Sequence, residues 1–231
     1  MSLIVVGSIM MVAFLAAPSG ATVPALILSS PPYLSGTPLA RDWVNSSMSG
    51  TTKVPVAPVV NLSSGTVAMS MRVRATAWGT RHVDANAGFR LALPISHSAL
   101  YHLAANWSID WNSSASGGGC SYGWMVCSAG SVTGQVVLVI IDRTNGSAIY
   151  GPGSNASILS FGSSWLGTVY NSGRVNLMPH LVAWLVVGHA YWIKTYVHVS
   201  IQAWPNGLAP ATAAFNLSTP YGASLRWVAI R

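Results

Sequence analysis

Carboxylates are nearly missing from this chain: Asp42, Asp84, Asp110 and Asp142 are its only acids, and it has no Glu among 231 residues. Charged residues make up 6% of it, against about a quarter in an ordinary soluble domain. The net charge of +7 therefore reflects missing acid rather than abundant base. Its densest basic group is Arg72, Arg74 and Arg81, too thin a tract to neutralise many phosphates, so nucleic acid is not an expected partner. Glycosidase chemistry ordinarily needs two positioned carboxylates, and only three Asp fall in the expected domain. There is no Gly-x-Ser-x-Gly elbow, no phosphate-cradling glycine loop and no His-Glu-x-x-His; Gly117–Gly118–Gly119 is loop composition. No catalytic residue and no cofactor are assigned.

Acid denaturation largely reflects protonation of carboxylates that are ionised and paired in the native state. A chain with four Asp has little to lose that way, which points to an acidic external medium. A codon bias toward Ala, Gly, Val and Arg is the competing explanation.

Cysteine is almost as scarce. Cys120 and Cys127 are the only two, inside a Gly/Ser-rich stretch from Asn112 to Gly134. In an exported chain this pair is expected to form a local disulfide that staples the loop. The spacing is wrong for a redox motif, and a metal pair lacks nearby His or a second Cys pair.

Against these absences stand an apolar N-terminus and many Asn-x-Ser sequences. Leu3 to Ala17 is uninterruptedly apolar or small, followed by Pro18-Ser19-Gly20-Ala21. This reads as a signal-peptide core with cleavage after Ala21 or Ala25, although no Lys or Arg precedes it. The alternative is retention as an anchor, the one expected membrane contact. Seven Asn occupy glycosylation acceptor sequences: Asn45, Asn61, Asn106, Asn112, Asn145, Asn155 and Asn216. Chance would give roughly two, and attached glycans would supply the solubility that charge does not. These features suggest secretion or a cell surface, in a eukaryote or an archaeon.

The expected organisation is an export segment over 1–25, a Pro/Ser/Gly-rich arm over 26–64 and a domain over 65–231. Pro31, Pro32, Pro38, Pro55 and Pro58 are expected to break regular structure in the arm. The domain shows period-two alternation at Val67 to Ala77, Phe89 to Ile95 and Ala105 to Trp111, with Pro94 marking an edge or bulge. Gln135 to Asp142 is a continuous apolar run, and Asn145-Gly146 signals a hairpin. Leu181–Val187 and Tyr191–Trp204 read as a hairpin-like pair, and Leu225–Arg231 closes the domain. The fold class is all-β: one β-sandwich, jelly-roll or Ig-like, of about eight to ten strands. A second membrane helix over 177–193 is the disfavoured alternative, interrupted by Pro179, His180, Gly188 and His189.

The stretch from Leu185 to Gln202, with Gly188-His189-Ala190-Tyr191 opening a long alternating strand, resembles a pattern of exported β-sandwich surface proteins of archaea. The resemblance covers about forty residues; it implies a fold and a compartment, with no site and no activity.

The candidate ligand-binding face is the even-numbered side of that strand: Trp192, Lys194, Tyr196, His198, Gln202 and Trp204. Exposed aromatics beside hydrogen-bonding groups suit sugar rings. The competing reading packs these aromatics under the arm or against a neighbouring subunit, since ten Trp cannot all be exposed. Six His (His82, His97, His102, His180, His189, His198) leave a long-range copper or zinc cluster open, but no two have a spacing that places them together. The expected function is noncatalytic, structural or adhesive or glycan-binding, with glycans or other surface-protein subunits as partners. A metal-dependent extracellular enzyme is the alternative.

Overall fold

The computed structural model describes residues 26–28, 40–41, 45–49, 53–76, 80–119, 127–164, 166–205 and 209–231. The strands before residue 58, and residues 164 and 166, are described through their backbone alone. The expected export segment, 1–25, lies outside the described residues.

Those residues form fifteen strands and no helix: β1 (Leu26–Leu28), β2 (Ala40–Arg41), β3 (Asn45–Ser49), β4 (Lys53–Asn61), β5 (Thr66–Ala75), β6 (Arg81–Leu93), β7 (Ala99–Gly118), β8 (Ala129–Asp142), β9 (Ser147–Ile149), β10 (Asn155–Ser164), β11 (Leu166–Leu177), β12 (His180–Leu185), β13 (Tyr191–Trp204), β14 (Ala211–Asn216) and β15 (Gly222–Ile230). Two antiparallel sheets pack as a β-sandwich. The larger runs β1-β15-β5-β14-β7-β11, with β12 also on β7 and β4 on β5; the smaller runs β10-β8-β13-β6-β2, with β3 on β6 and β9 on β8.

The core lies between the sheets because each long strand alternates. On β5, Val67, Met69, Met71 and Val73 are buried while Arg72 and Arg74 are exposed. On β7, Trp107 and Ile109 point inward, and they meet Phe89 and Leu91 of β6 and Ile193, Val197 and Val199 of β13 in one cluster. Period-two patterning therefore reads correctly along both sheets.

Three expectations are revised. The strand count exceeds ten partly because the described parts of 26–64 are strands belonging to both sheets. Pro55 and Pro58 sit in β4, which pairs with β5 alone and shifts register between Val56 and Val59. Proline lacks the amide a central strand must donate, so an irregular edge strand accommodates it. Next, β12 and β13 are not a hairpin: β12 pairs with β7 in the larger sheet, β13 with β6 and β8 in the smaller. Gly188, at φ +90°, lies in the turn that carries the chain across the core. The same segments replace the helix considered for 177–193, and no described helix is long and apolar enough to cross a membrane. Finally, β6 is interior, and Pro94 follows its last residue rather than marking an edge.

Candidate functional site

Parity on β13 is as the sequence suggests. Tyr191, Ile193, Thr195, Val197, Val199 and Ile201 are buried against the opposite sheet, and Trp192, Lys194, Tyr196, His198, Gln202 and Trp204 share the outer side. They do not share an open surface.

Tyr196 is only 8% exposed and packs with Val137, Val139 and Ile141 of β8 in a small second cluster on the outer side. Its register partner on β6 is Gly88. A Cβ at Gly88 would lie 2.4 Å from the Tyr196 Cα and 2.2 Å from the Thr195 carbonyl oxygen, so only glycine fits there. Trp192 is half-buried, and the guanidinium carbons of Arg90 and Arg143 each lie over its ring, 4.1 Å from the centroid. Cation–π contacts of this kind occupy the ring faces that a sugar would stack on. Trp204, 36% exposed, lies twelve residues along the strand, roughly 40 Å from Trp192. Lys194 stands between Arg90 and Val139, and Gln202 between His82 and Ser131.

The polar half of this face brings together titratable side chains from β6 and β13. On β6, His82 Nε2 contacts Asp84 Oδ2. Across on β13, His198 Nδ1 donates to Asn86 Oδ1 at 2.6 Å. Burial pushes the His198 pKa below 6.5; the Asp84 charge opposes the shift and His82 adds to it. His198 also lines a hollow of about 270 Å³ with Thr133, Gln135, Ser157 and Ser160. Sequence spacing among His alone missed this cluster; the i, i+2 pair His82/Asp84 was the available signal. No group of three or more His, Cys, Asp or Glu among the described residues is arranged to hold a metal.

The larger sheet presents a second, more open face. The even-numbered residues of β7 from 106 to 116 are Asn106, Ser108, Asp110, Asn112, Ser114 and Ser116, all half-buried. Asn112 stands between Asn216 of β14 and Ser172 of β11, Ser114 between Ala214 and Tyr170, and Ser116 between Thr212 and Thr168. Beyond β14, β5 adds Ser70, Arg72 and Arg74 at the same levels. Ser116 and Thr212 hydroxyls are 2.6 Å apart, and Asn112 Nδ2 donates to the Tyr221 hydroxyl at 3.2 Å.

Two of the hollows on this face lie beside these polar residues. The larger, about 480 Å³, includes Thr66, Ser108, Asp110, Arg174, Tyr221 and Arg226 in its walls. Its size falls in the ordinary range for ligand sites, about 300–1,000 Å³. The smaller, about 230 Å³, lies among Ser70, Arg72, Asn112, Ser114, Tyr170 and Asn216. Tyr170 is 76% exposed. The alternating Asn/Ser/Asp residues of β7 announced a wet side in the sequence, but nothing local showed that four strands would extend it into a surface.

Of the acceptor sequences, Asn61, Asn145 and Asn155 are exposed, whereas Asn106, Asn112 and Asn216 are half-buried on the larger sheet. Asn45 lies on β3 opposite Asn86. Cys120 lies outside the described residues. Its neighbour Gly119 accepts a hydrogen bond from the amide of Ser128, the residue after Cys127, at 3.0 Å, so the two ends of the loop are held together.

No family model matches this chain. No curated protein matches it either. Among solved structures, the enzymatically active domain of Bacteriophage CBA120 tailspike protein 4 is similar over 83% of this chain and 19% of its own, at 14% identity and a TM-score of 0.21. A likeness that low carries no argument about fold or function.

Proposed function

We propose that this chain is a noncatalytic protein of an outer surface, and that its domain binds glycans. The observation that carries the reading is the outer face of the larger sheet, where side chains of β5, β14, β7 and β11, many of them hydroxyl or amide, lie level in successive rows around a hollow with Tyr170 and next to a larger one with Tyr221. Such a surface offers hydrogen bonds to sugar hydroxyls and ring contacts to their apolar faces. Export is inferred from the apolar run Leu3–Ala17 and the seven acceptor sequences.

The described carboxylates support the noncatalytic part. Asp84 contacts His82, Asp110 binds Arg174, and Asp142 binds His189, so each is engaged by a different basic side chain. A copper or zinc enzyme would draw on His82, Asp84 and His198, of which His82 is turned to Asp84 through Nε2 and His198 to Asn86 through Nδ1.

A saccharide microarray probed with the purified chain tests the proposal. Saturable binding that persists after chelation of divalent metals is expected. Failure to bind any saccharide would overturn it, and stoichiometric copper or zinc would favour the metal enzyme instead.

A further inference from the structure

The face assigned to glycans carries charge as well as hydroxyl and amide groups. Arg72, Arg74, Arg174 and Arg226 stand on it, four of the eleven cations, with Asp110 as its one carboxylate among the described residues. Asp110 is spoken for: its Oδ2 accepts from Arg174 Nε at 3.1 Å and Nη2 at 2.6 Å. Arg72, Arg74 and Arg226 are exposed and have no ion-pair partner among the described residues. A chain of so low a charge density has placed three unpaired guanidinium groups around one uncharged floor.

Their positions match the hollows. Arg226 is the residue at the β15 register shift between Leu225 and Trp227, and it lines the larger hollow. The bulge breaks alternation there, putting an exposed Arg between two positions that pair with β7. Arg72 lines the smaller hollow beside Tyr170, and Arg74 lies two residues further along β5. From Ser108 in one hollow to Ser114 in the other is roughly 20 Å along β7, long enough for an oligosaccharide rather than one sugar. Guanidinium groups bind carboxylate or sulfate oxygens with paired N–H donors, while the Ser, Thr and Asn floor serves sugar hydroxyls.

We propose that this face takes an acidic glycan, a saccharide chain bearing carboxylate or sulfate groups, with Arg72, Arg74 and Arg226 as the residues that meet its anions. This rests on the glycan-binding reading and adds the ligand's chemical class and the residues that select it.

The test uses the full chain and four probes: polygalacturonate, heparin, neutral dextran and a single-stranded oligonucleotide. At least one acidic polysaccharide is expected to bind about tenfold or more tightly than dextran and than the oligonucleotide, with an affinity that falls as salt rises. Changing Arg72, Arg74 and Arg226 together to Gln should remove about tenfold of that affinity, and the Lys versions should retain part of it. Arg143→Gln, in the turn after β8 and against Trp192 of the other sheet, should leave it unchanged. Thermal melts of each variant show that the fold survives.

Equal binding of dextran and the acidic polymers, or a Gln variant that binds as the parent does, overturns this inference while leaving glycan binding standing. Tightest binding to the oligonucleotide overturns it as well. Binding to no saccharide overturns the glycan reading itself.

Discussion

The indole N–H of Trp107 donates to the hydroxyl of Thr195 at 2.8 Å, one side chain from each sheet, both fully buried. Thr195 interrupts an otherwise apolar inward row, Ile193, Val197, Val199 and Ile201, and Trp107 gives it a reason: a buried indole donor needs an acceptor. Phe89 packs against the same indole at 5.7 Å between centroids.

Thr195→Val keeps the shape and removes the acceptor. It is expected to cost about 1–3 kcal/mol, the range for leaving a buried donor unpaired, whereas Trp107→Ala should cost about 3–5 kcal/mol. Denaturant melts of the two variants check this, and a neutral Thr195→Val would show that the hydrogen bond contributes nothing.

The aromatic side of β13 should divide by position. Tyr196→Ala is expected to destabilise by about 3 kcal/mol or more, because the ring fills the cluster with Val137 and Val139. Trp204→Ala should stay within about 0.5 kcal/mol, as surface changes do. Similar losses at both positions would contradict the packing described.

Acidification should act through two groups in separate ranges. The His198 pKa lies below 6.5 in the fold, so the unfolded chain takes up that proton first. Its contribution is complete above about pH 6.5 and declines as pH falls toward the folded value. At Asp142 burial pushes the pKa up, but hydrogen bonds from His189 Nδ1 and the Thr144 amide outweigh it, leaving it below 3.8. That contribution is present above about pH 4 and is lost as pH falls through the folded value. Melts from pH 7 to pH 3 should show a shallow decline that begins as pH falls below about 6.5, abolished by His198→Gln, and little further loss before the lowest pH. A steep loss between pH 5 and pH 4 would show that the scarcity of carboxylates has not made the chain acid-tolerant.

Glycosylation is expected to favour Asn61, Asn145 and Asn155, which are exposed. In Asn61-Leu62-Ser63 the side-chain oxygen of Asn61 accepts from the Ser63 amide and hydroxyl, at 3.0 and 2.8 Å, which leaves Nδ2 unengaged. Asn112 instead commits Nδ2 to Tyr221. Peptide mass spectrometry of protein from its native host should find Asn112 unmodified and, in unreduced digests, Cys120 joined to Cys127. Full occupancy at Asn112 would bury the proposed binding face under the chain's own sugar.

The sandwich was legible because alternation is local: Val67 to Val73 and Tyr191 to Ile201 declare a buried side without reference to any partner strand. Pairing is not local. Nothing between Leu181 and Tyr191 says that β12 and β13 belong to different sheets, and the Pro residues of β4 gave no sign of how an edge would absorb them. The candidate site failed to be legible for the same reason. Parity placed Trp192, Tyr196 and Trp204 outward, but Val137, Val139, Arg90 and Arg143, all distant in sequence, determine that their faces are occupied.

Proton resonances of the tyrosine rings and tryptophan indoles, followed while the chain is titrated with the saccharide it binds best, test most directly which face is used. Shifts concentrated at Tyr170 and Tyr221, with the Trp192 and Trp204 indoles unmoved, are the result predicted here. Shifts at Trp192 and Trp204 with Tyr170 and Tyr221 silent would contradict it and return the site to β13.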